Sequence, residues 1–496
     1  MHHFLVQLVW YSDFVLIGYF ILANLGYTIL MTLSLYSVSL HATYAARKPY
    51  SDLVDSPVTP PVALIIAAYN EQDTIVQTVL SMLDLNYQDK EVIVVDDGST
   101  DSTVGRLIER FRLLRMDLIY RERIKTGQPL ACYHNPIFPE LLVIQVEHGG
   151  KPHALNCGIN MARSPYFCTV DADSIIERDA LLRLMAPVVH SAGNVVVSGG
   201  IVRIANGCTL RNGRLEGMSL PTGWLERCQI VEYIRTFLFG RPGWSMMNAT
   251  FIASGCFCLL HREAVINAGG YTTDTVTEDI DVIAAIRRHM VQEKKDFQVV
   301  FTSDPICWTE APRKLGMLAR QRRRWQLGLT QTLWKNRGMI FNPRYGSTGM
   351  LSMPFHLLIE VIGCVVEAVG TLVILPISFI VLHTPWWIFA IFLLLSIGYG
   401  TLLSMGSVVL EEVTLRRYPR LKHVAILMMY AIIENIGYRQ IVTFFRAYGV
   451  LQALMGRNKQ KWEHVEHSGI RLNNTAPQPR QAVGKNFSDS LAGGRK

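Results

Sequence analysis

The sequence predicts an α/β domain on a parallel sheet, held between N- and C-terminal membrane-spanning helices. Three observations predict it. Phe14 to Tyr36 is almost unbroken apolar sequence, long enough to cross a bilayer. Beyond a polar, Pro-rich linker from Ser51 to Pro61, short apolar runs alternate with amphipathic stretches, as strands buried on both faces of a sheet and covered by helices do. Leu351 to His383 and Trp386 to Leu410 are again apolar over spanning lengths. Composition agrees, because 50% hydrophobic residues in 496 and a mean hydropathy of +0.21 are too apolar for an ordinary soluble enzyme.

The first span has no basic segment before it and no small-residue cleavage site after it, so it does not read as a signal peptide. Residues 1 to 13 carry no Lys or Arg, whereas Arg47 and Lys48 follow the span, which predicts an outer N-terminus and an inner sheet domain. Predicted strands are Val62 to Ala67, Glu91 to Val95, Leu141 to Val146 and Tyr166 to Val170. Predicted helices between and after them cover about Thr74 to Leu85, Ser102 to Leu114, Pro152 to Ala162 and Ile175 to Val189. Residues 121 to 139, with Gly127, Pro129, Pro136 and Pro139, read as an inserted surface loop. Ser191 to Gly200 and Phe297 to Thr302 are further strands, and Ile280 to Met290 is a further helix.

From Lys335 the character shifts to membrane sequence, with a turn at His383-Thr-Pro385 and the basic residues Arg416, Arg417, Arg420 and Lys422 returning the chain to the inner side. Val424 to Leu451 carries Glu434, Asn435, Arg439, Gln440 and Arg446, which are costly against lipid, so an interfacial helix or a packed hairpin is expected rather than a single crossing. The tail from about Asn473 is Gly, Ser, Asn and Pro rich and reads as disordered. The expected division is 1–47, an N-terminal transmembrane segment; 48–335, the sheet domain; 336–451, interface and transmembrane helices; and 452–496, a basic tail. The formal net charge of +8 has this topological explanation, and with no recognition motif nucleic acid is not an expected partner. Nine scattered cysteines without a C-x-x-C pair read as reduced, buried thiols.

Polar motifs fall where the strands end. Tyr166 to Val170 runs into Asp171 and Asp173, two hard oxygen donors suited to Mg²⁺ or Mn²⁺ carrying a substrate diphosphate. Alone, the pair could simply cap the next helix. However, Tyr69-Asn70-Glu71, Asp96-Asp97-Gly98-Ser99 and Gly149-Gly150-Lys151 end the other three strands, and ligands of open parallel sheets bind at that edge. Tyr69 can stack on a base, Glu71 and Asp97 can accept hydrogen bonds from base or ribose, and Lys151 offers a point charge to a diphosphate. Neither G-x-x-x-x-G-K-[ST] nor a G-x-G-x-x-G after the first strand is present, so neither a P-loop nucleotide hydrolase nor a dinucleotide enzyme is indicated.

Two motifs lie further on. Thr277-Glu278-Asp279 opens a helix, where Thr277 can cap and acids suit the dipole. Asp279 is also a candidate general base toward an acceptor hydroxyl. In Gln321-Arg322-Arg323-Arg324-Trp325 a basic stripe could meet lipid headgroups, while Arg324 can clamp diphosphate and Trp325 can stack on a sugar face.

Together, in this order and spacing, these motifs resemble the membrane-embedded, inverting family-2 glycosyltransferases, which include cellulose, poly-N-acetylglucosamine, hyaluronan and chitin-oligosaccharide synthases. The resemblance covers about residues 60 to 335 and the flanking spans. It implies a GT-A-type fold and a UDP-sugar donor. It implies that Tyr69, Glu71 and Asp97 contact uridine, that Lys151 lies near the donor, that Asp171 contacts the nucleotide-sugar and that Asp173 holds the metal. It makes Asp279 the base, assigns Arg324 and Trp325 to the diphosphate and acceptor end, and brings Glu278 and Gln321 into the substrate-binding set. Ser254-Gly255-Cys256 stands where an acceptor floor is expected. Leu225 to Phe239 resembles an amphipathic interface helix, with Leu315 to Leu333 and Leu351 to Leu358 in similar parts. The 121–139 loop departs from the pattern, and a PilZ-like domain is not expected in the residues after 451. The implied function is processive synthesis of a β-linked polysaccharide at the membrane, coupled to export, with a glycan or lipid acceptor, membrane lipids and a small accessory membrane subunit as partners. The alternatives are addition of one sugar to a lipid, and a non-catalytic scaffold that binds nucleotide-sugar.

Overall fold

The computed structural model describes residues 2–47, 50–54, 56–171, 174–191, 193–211, 214–381, 385–415, 418, 420–456 and 472–473. The apolar runs form strands β1 (Val62–Ala68), β2 (Lys90–Asp96), β3 (Leu114–Met116), β4 (Ala131–His134), β5 (Leu141–Gln145), β6 (Tyr166–Asp171), β7 (Ile175–Ile176) and β8 (Val195–Ile204). After them come β9 (Thr209–Arg211), β10 (Arg214–Gly217), β11 (Phe257–His261), β12 (Gln298–Thr309) and β13 (Leu472–Asn473). A ten-stranded sheet has the order β3-β4-β5-β2-β1-β6-β11-β8-β12-β7, and β10-β9-β13 form a small second sheet. The expected parallel pairings hold at its centre, β5-β2-β1-β6. The sheet as a whole is mixed, because β11 inserts antiparallel between β6 and β8 and the edge strands β3, β4 and β7 also run antiparallel.

Strand periodicity splits the core in two. Leu64, Ile66, Val92 and Val94 face one buried cluster, while Ile65, Ile93 and Val95 face the other. Register then sets the functional edge. Ala68 pairs with Asp96, Ala67 with Asp171, and Asp96 with Gln145, so four strands stop at nearly one level and their polar loops converge.

Three expectations are corrected. Ile175 and Ile176 pair with β12, so the following helix starts at Ala180 and Asp171 does not cap it. The 121–139 stretch is only partly a loop, since Ala131–His134 is β4 and closes the sheet edge between β3 and β5. Thr277 precedes the helix Glu278–Gln292 but makes no side-chain cap; its hydroxyl lies against Gly328, where an added Cβ would stand 2.3 Å from it. All nine cysteines are free thiols, as expected.

Among the described residues three helices are long and apolar enough to cross a membrane: Trp10–Thr43, Thr348–Ile374 and Trp386–Thr414. The expected turn at His383 and Thr384 and nearly all of the tail lie outside the described residues. The Val424–Leu451 stretch forms two helices, Leu421–Ile433 and Arg439–Leu454, broken where Gly437 takes φ +95°. Helix Trp224–Arg235 packs between β8 and the helices Tyr399–Thr414 and Leu421–Ile433, while Leu315–Lys335 packs between helix Glu278–Gln292 and helix Arg439–Leu454.

Candidate active site

Lys151 organises the site. It opens the helix Lys151–Met161 after Gly150, whose φ of +88° suits glycine. Its ammonium donates to Asp171 Oδ1 at 2.7 Å and stands 3.0 Å from Glu278 Oε1. Burial pushes the ammonium pKa down, but the two carboxylates outweigh that and hold it well above its usual value. For Glu278 burial pushes upward and is outweighed by Lys151, so its carboxyl is held low. The neighbouring Asp279 makes no ion pair among the described residues, and Lys151 offsets its burial only in part. Burial first, then the Glu278 charge, push its pKa up to about 6. Two adjacent carboxyl groups whose environments drive them apart are suited to different tasks, one binding and one transferring a proton.

Gly255 fixes the floor beside Asp279, because a Cβ at 255 would stand 2.7 Å from Asp279 Oδ2. This brings Ser254-Gly255-Cys256 into the site, and all three line the same cavity as Asp279. That cavity, of about 1760 Å³, also takes in Tyr69, Glu71, Asp97, Lys151, Asp171, Glu278, Gln321, Arg324 and Trp325. Every expected site residue is thereby gathered except Asp173, which lies outside the described residues.

The gathered residues do not all face substrate alike. Tyr69 is 42% exposed. Glu71 accepts the Thr74 hydroxyl at 2.7 Å. The Asp97 carboxylate is buried and accepts Gly149 N–H and Gly150 N–H, each at 2.9 Å, so it anchors the loop carrying Lys151. In the Gln-Arg-Arg-Arg-Trp helix, buried Arg322 pairs with Glu232 at 2.8 Å and packs 4.4 Å from the Trp325 ring centre. Tyr438 donates to the same Glu232 at 2.6 Å. Arg322 is therefore a tie between helices rather than a lipid contact. Gln321 lines the cavity, and its buried Oε1 has no hydrogen-bond partner among the described residues.

Sequence reasoning missed three groups. His148 stacks on Tyr69 at 4.5 Å between ring centres, and only its place beside Gly149-Gly150-Lys151 signalled it. Arg241 is a cavity-lining guanidinium 3.9 Å from the Phe237 ring centre and bonded to the Ala253 carbonyl; nothing local in the sequence marks it. Burial lowers its pKa to about 10. The third group lies among the membrane helices. Glu360 pairs with Arg446 and receives Tyr27 OH at 2.7 Å. Glu367 faces Arg439 at 3.9 Å and receives Tyr19 OH at 3.0 Å. The partners are seven residues apart on both helices, which run antiparallel, and all four charged side chains line the same cavity.

Residues 63–124 match the family described as Glycosyl transferase family 2, and residues 136–328 match Glycosyltransferase like family 2. A poly-beta-1,6-N-acetyl-D-glucosamine synthase of Staphylococcus aureus (strain MSSA476) is 30% identical over 275 residues, 55% of this chain and 56% of that one. Its namesake in Staphylococcus epidermidis is 27% identical over 316 residues, 63% of this chain and 66% of that one. The chain thus spans a little over half the length of the S. aureus relative. Among solved structures, a mannosyltransferase from Pyrobaculum calidifontis with GDP-Man and Mn²⁺ aligns at TM-score 0.47 and 17% identity, covering 87% of this chain and 99% of that one. The motifs at the sheet edge lie inside the two matched segments, and over residues 63–124 and 136–328 the chain is a glycosyltransferase family 2 protein.

Proposed function

We propose that this chain transfers a sugar from a UDP-sugar to a growing β-linked glycan, inverting the anomeric carbon, and feeds the product among its own membrane helices. The observation that carries the reading is the one cavity of about 1760 Å³, lined at the sheet edge by Lys151, Asp171 and Asp279 and at the other end by Glu360, Glu367, Arg439 and Arg446. A pocket for one small ligand holds roughly 300–1,000 Å³. The excess suits a donor together with several sugars of an acceptor. The relatives are named for β-1,6-linked N-acetylglucosamine polymers, so UDP-N-acetylglucosamine is the first donor to test.

In this mechanism Asp279, ionised above about pH 6, takes the proton of an acceptor hydroxyl. The hydroxyl oxygen attacks the anomeric carbon from the face opposite UDP. The bond from that carbon to the β-phosphate oxygen breaks, and UDP leaves with the electron pair. Lys151 and Arg324 offset the charge gathering on the diphosphate. Trp325 offers an aromatic face to a sugar.

Asp171, partly exposed to the cavity, is a hard oxygen donor, and with Asp173 two residues on in the sequence it supplies the residue types that fit Mg²⁺ or Mn²⁺. When bound, such an ion would stabilise the developing charge of the leaving group. The basic flanks of the spans support a sheet domain on the cytosolic side of a multi-pass cell-membrane protein.

The test is UDP release by the detergent-purified chain with Mg²⁺ or Mn²⁺ across a panel of UDP-sugars, with the product sized on a gel. Long polymer from one donor is the expected result. Addition of one sugar to lipid, or no release from any donor, would overturn it.

A further inference from the structure

We propose that His148 is part of the nucleobase platform: its imidazole and the Tyr69 ring together form the aromatic surface on which the donor's base stacks. This rests on the UDP-sugar reading above and names a binding residue that neither the motifs nor the relatives indicate.

A carboxylate expected to read the base should be open to it, yet the Asp97 side chain is only 5% exposed. Its two oxygens already accept Gly149 N–H and Gly150 N–H, each at 2.9 Å, while His148 Nδ1 bonds the Asp97 backbone carbonyl at 3.0 Å and stands 2.9 Å from Oδ2. Asp97 is therefore spent on holding residues 148 to 150 against the end of β2. What it holds up to the cavity is a ring. The His148 side chain is 58% exposed and stacks on Tyr69 with ring centres 4.5 Å apart and planes 29° apart. Both rings line the cavity.

The ring is fixed from behind as well. Gly98 has φ +72°, and a Cβ there would stand 3.0 Å from the His148 backbone nitrogen. Nδ1–H donates to the Asp97 backbone carbonyl, which sets the imidazole's orientation and tautomer. A rigid imidazole with an open face, aligned with a tyrosine, is the kind of π-surface that bases stack on whatever their edge pattern. Lys151 follows three residues on, at the start of its helix, so a base on this platform would carry its diphosphate toward the ammonium that Asp171 and Glu278 hold.

The test is UDP affinity by calorimetry on the full chain in detergent, for the wild type and for His148→Ala, His148→Phe and His148→Asn, with inorganic pyrophosphate as a probe that has no base. Loss of one base–aromatic stack corresponds to about 5- to 150-fold in affinity. His148→Ala is expected to weaken UDP within that range. His148→Phe, a ring without the bond to Asp97, is expected to stay within about threefold of wild type. His148→Asn, which can still bond Asp97 but has no ring, is expected to bind as weakly as the Ala variant. Pyrophosphate affinity should not change across the set. Rescue by Asn and not by Phe would reduce His148 to a prop for Asp97, and tighter UDP binding by His148→Ala would make the imidazole an obstruction; either overturns the platform. A wild type that binds pyrophosphate but gains nothing from the uridine of UDP would remove the donor reading itself, and the platform with it.

Discussion

The two ends of the cavity are built on different rules. At the sheet edge, four strands of matched register deliver short polar loops, and each side chain sits within a few residues of its strand. At the membrane end, the polar groups come from helices far apart in sequence, and each becomes affordable only when its partner arrives. At the first end one ammonium, Lys151, is shared by two carboxylates, Asp171 and Glu278, with Asp279 beside them. The second has charges already matched in pairs, Glu360 with Arg446 and Glu367 with Arg439. Chemistry needs the former and passage of a neutral, hydroxyl-rich chain suits the latter, since paired charges offer hydrogen bonds without a strong net field.

That contrast can be broken in graded steps. Asp279→Asn should give the largest effect, a loss of about 10²–10⁴ in UDP release with UDP binding kept, because it removes only the proton acceptor. Near wild-type turnover would take Asp279 out of the mechanism. The same carboxyl sets a pH limit. Its pKa is raised to about 6, so the base is available above that pH, and initial rates should fall as pH drops through it. A flat profile from pH 7 to 5 would contradict this.

Lys151→Ala should come next, raising the KM for donor about 10- to 100-fold, since it leaves Asp171 and Glu278 facing the diphosphate without their shared cation. At the membrane end the signature should be structural rather than kinetic. Arg446→Ala strands Glu360 and should lower the thermal midpoint more than the double change Glu360→Gln with Arg446→Gln, because an uncompensated charge costs more than a lost pair. UDP release in the double variant should stay within about threefold of wild type while the glycan product shortens. Equal release with full-length product would disconnect this end from the glycan. Smallest should be Glu71→Gln, since Glu71 already spends one oxygen on Thr74; donor KM should shift no more than about threefold.

The same contrast explains what the sequence disclosed. The sheet edge was legible because strand ends, turn residues and carboxylates lie together in the chain, so Lys151, Asp171 and Asp279 could be named before their distances were known. The antiparallel entry of β11 was not legible, since period-two burial reads alike for either strand direction. The membrane end was half legible. Arg439 and Arg446 stood out as costly against lipid, but Glu360 and Glu367 lay inside a run apolar enough to hide them, and only folding aligns the two helices. Asp97 shows the limit of motif reasoning: it was placed correctly at the edge, yet its carboxylate faces the backbone of its own neighbours.

Gly255 carries a consequence for genetics. Its α-carbon lies so close to Asp279 that a single methyl there would stand 2.7 Å from the carboxylate oxygen. A screen for inactive alleles should therefore recover missense changes at codon 255 alongside those at 279, although the glycine has no chemistry of its own. Protein from such alleles should accumulate at normal levels in the membrane, and intragenic suppressors should lie among the residues around the acidic side chain rather than on the opposite face of the sheet.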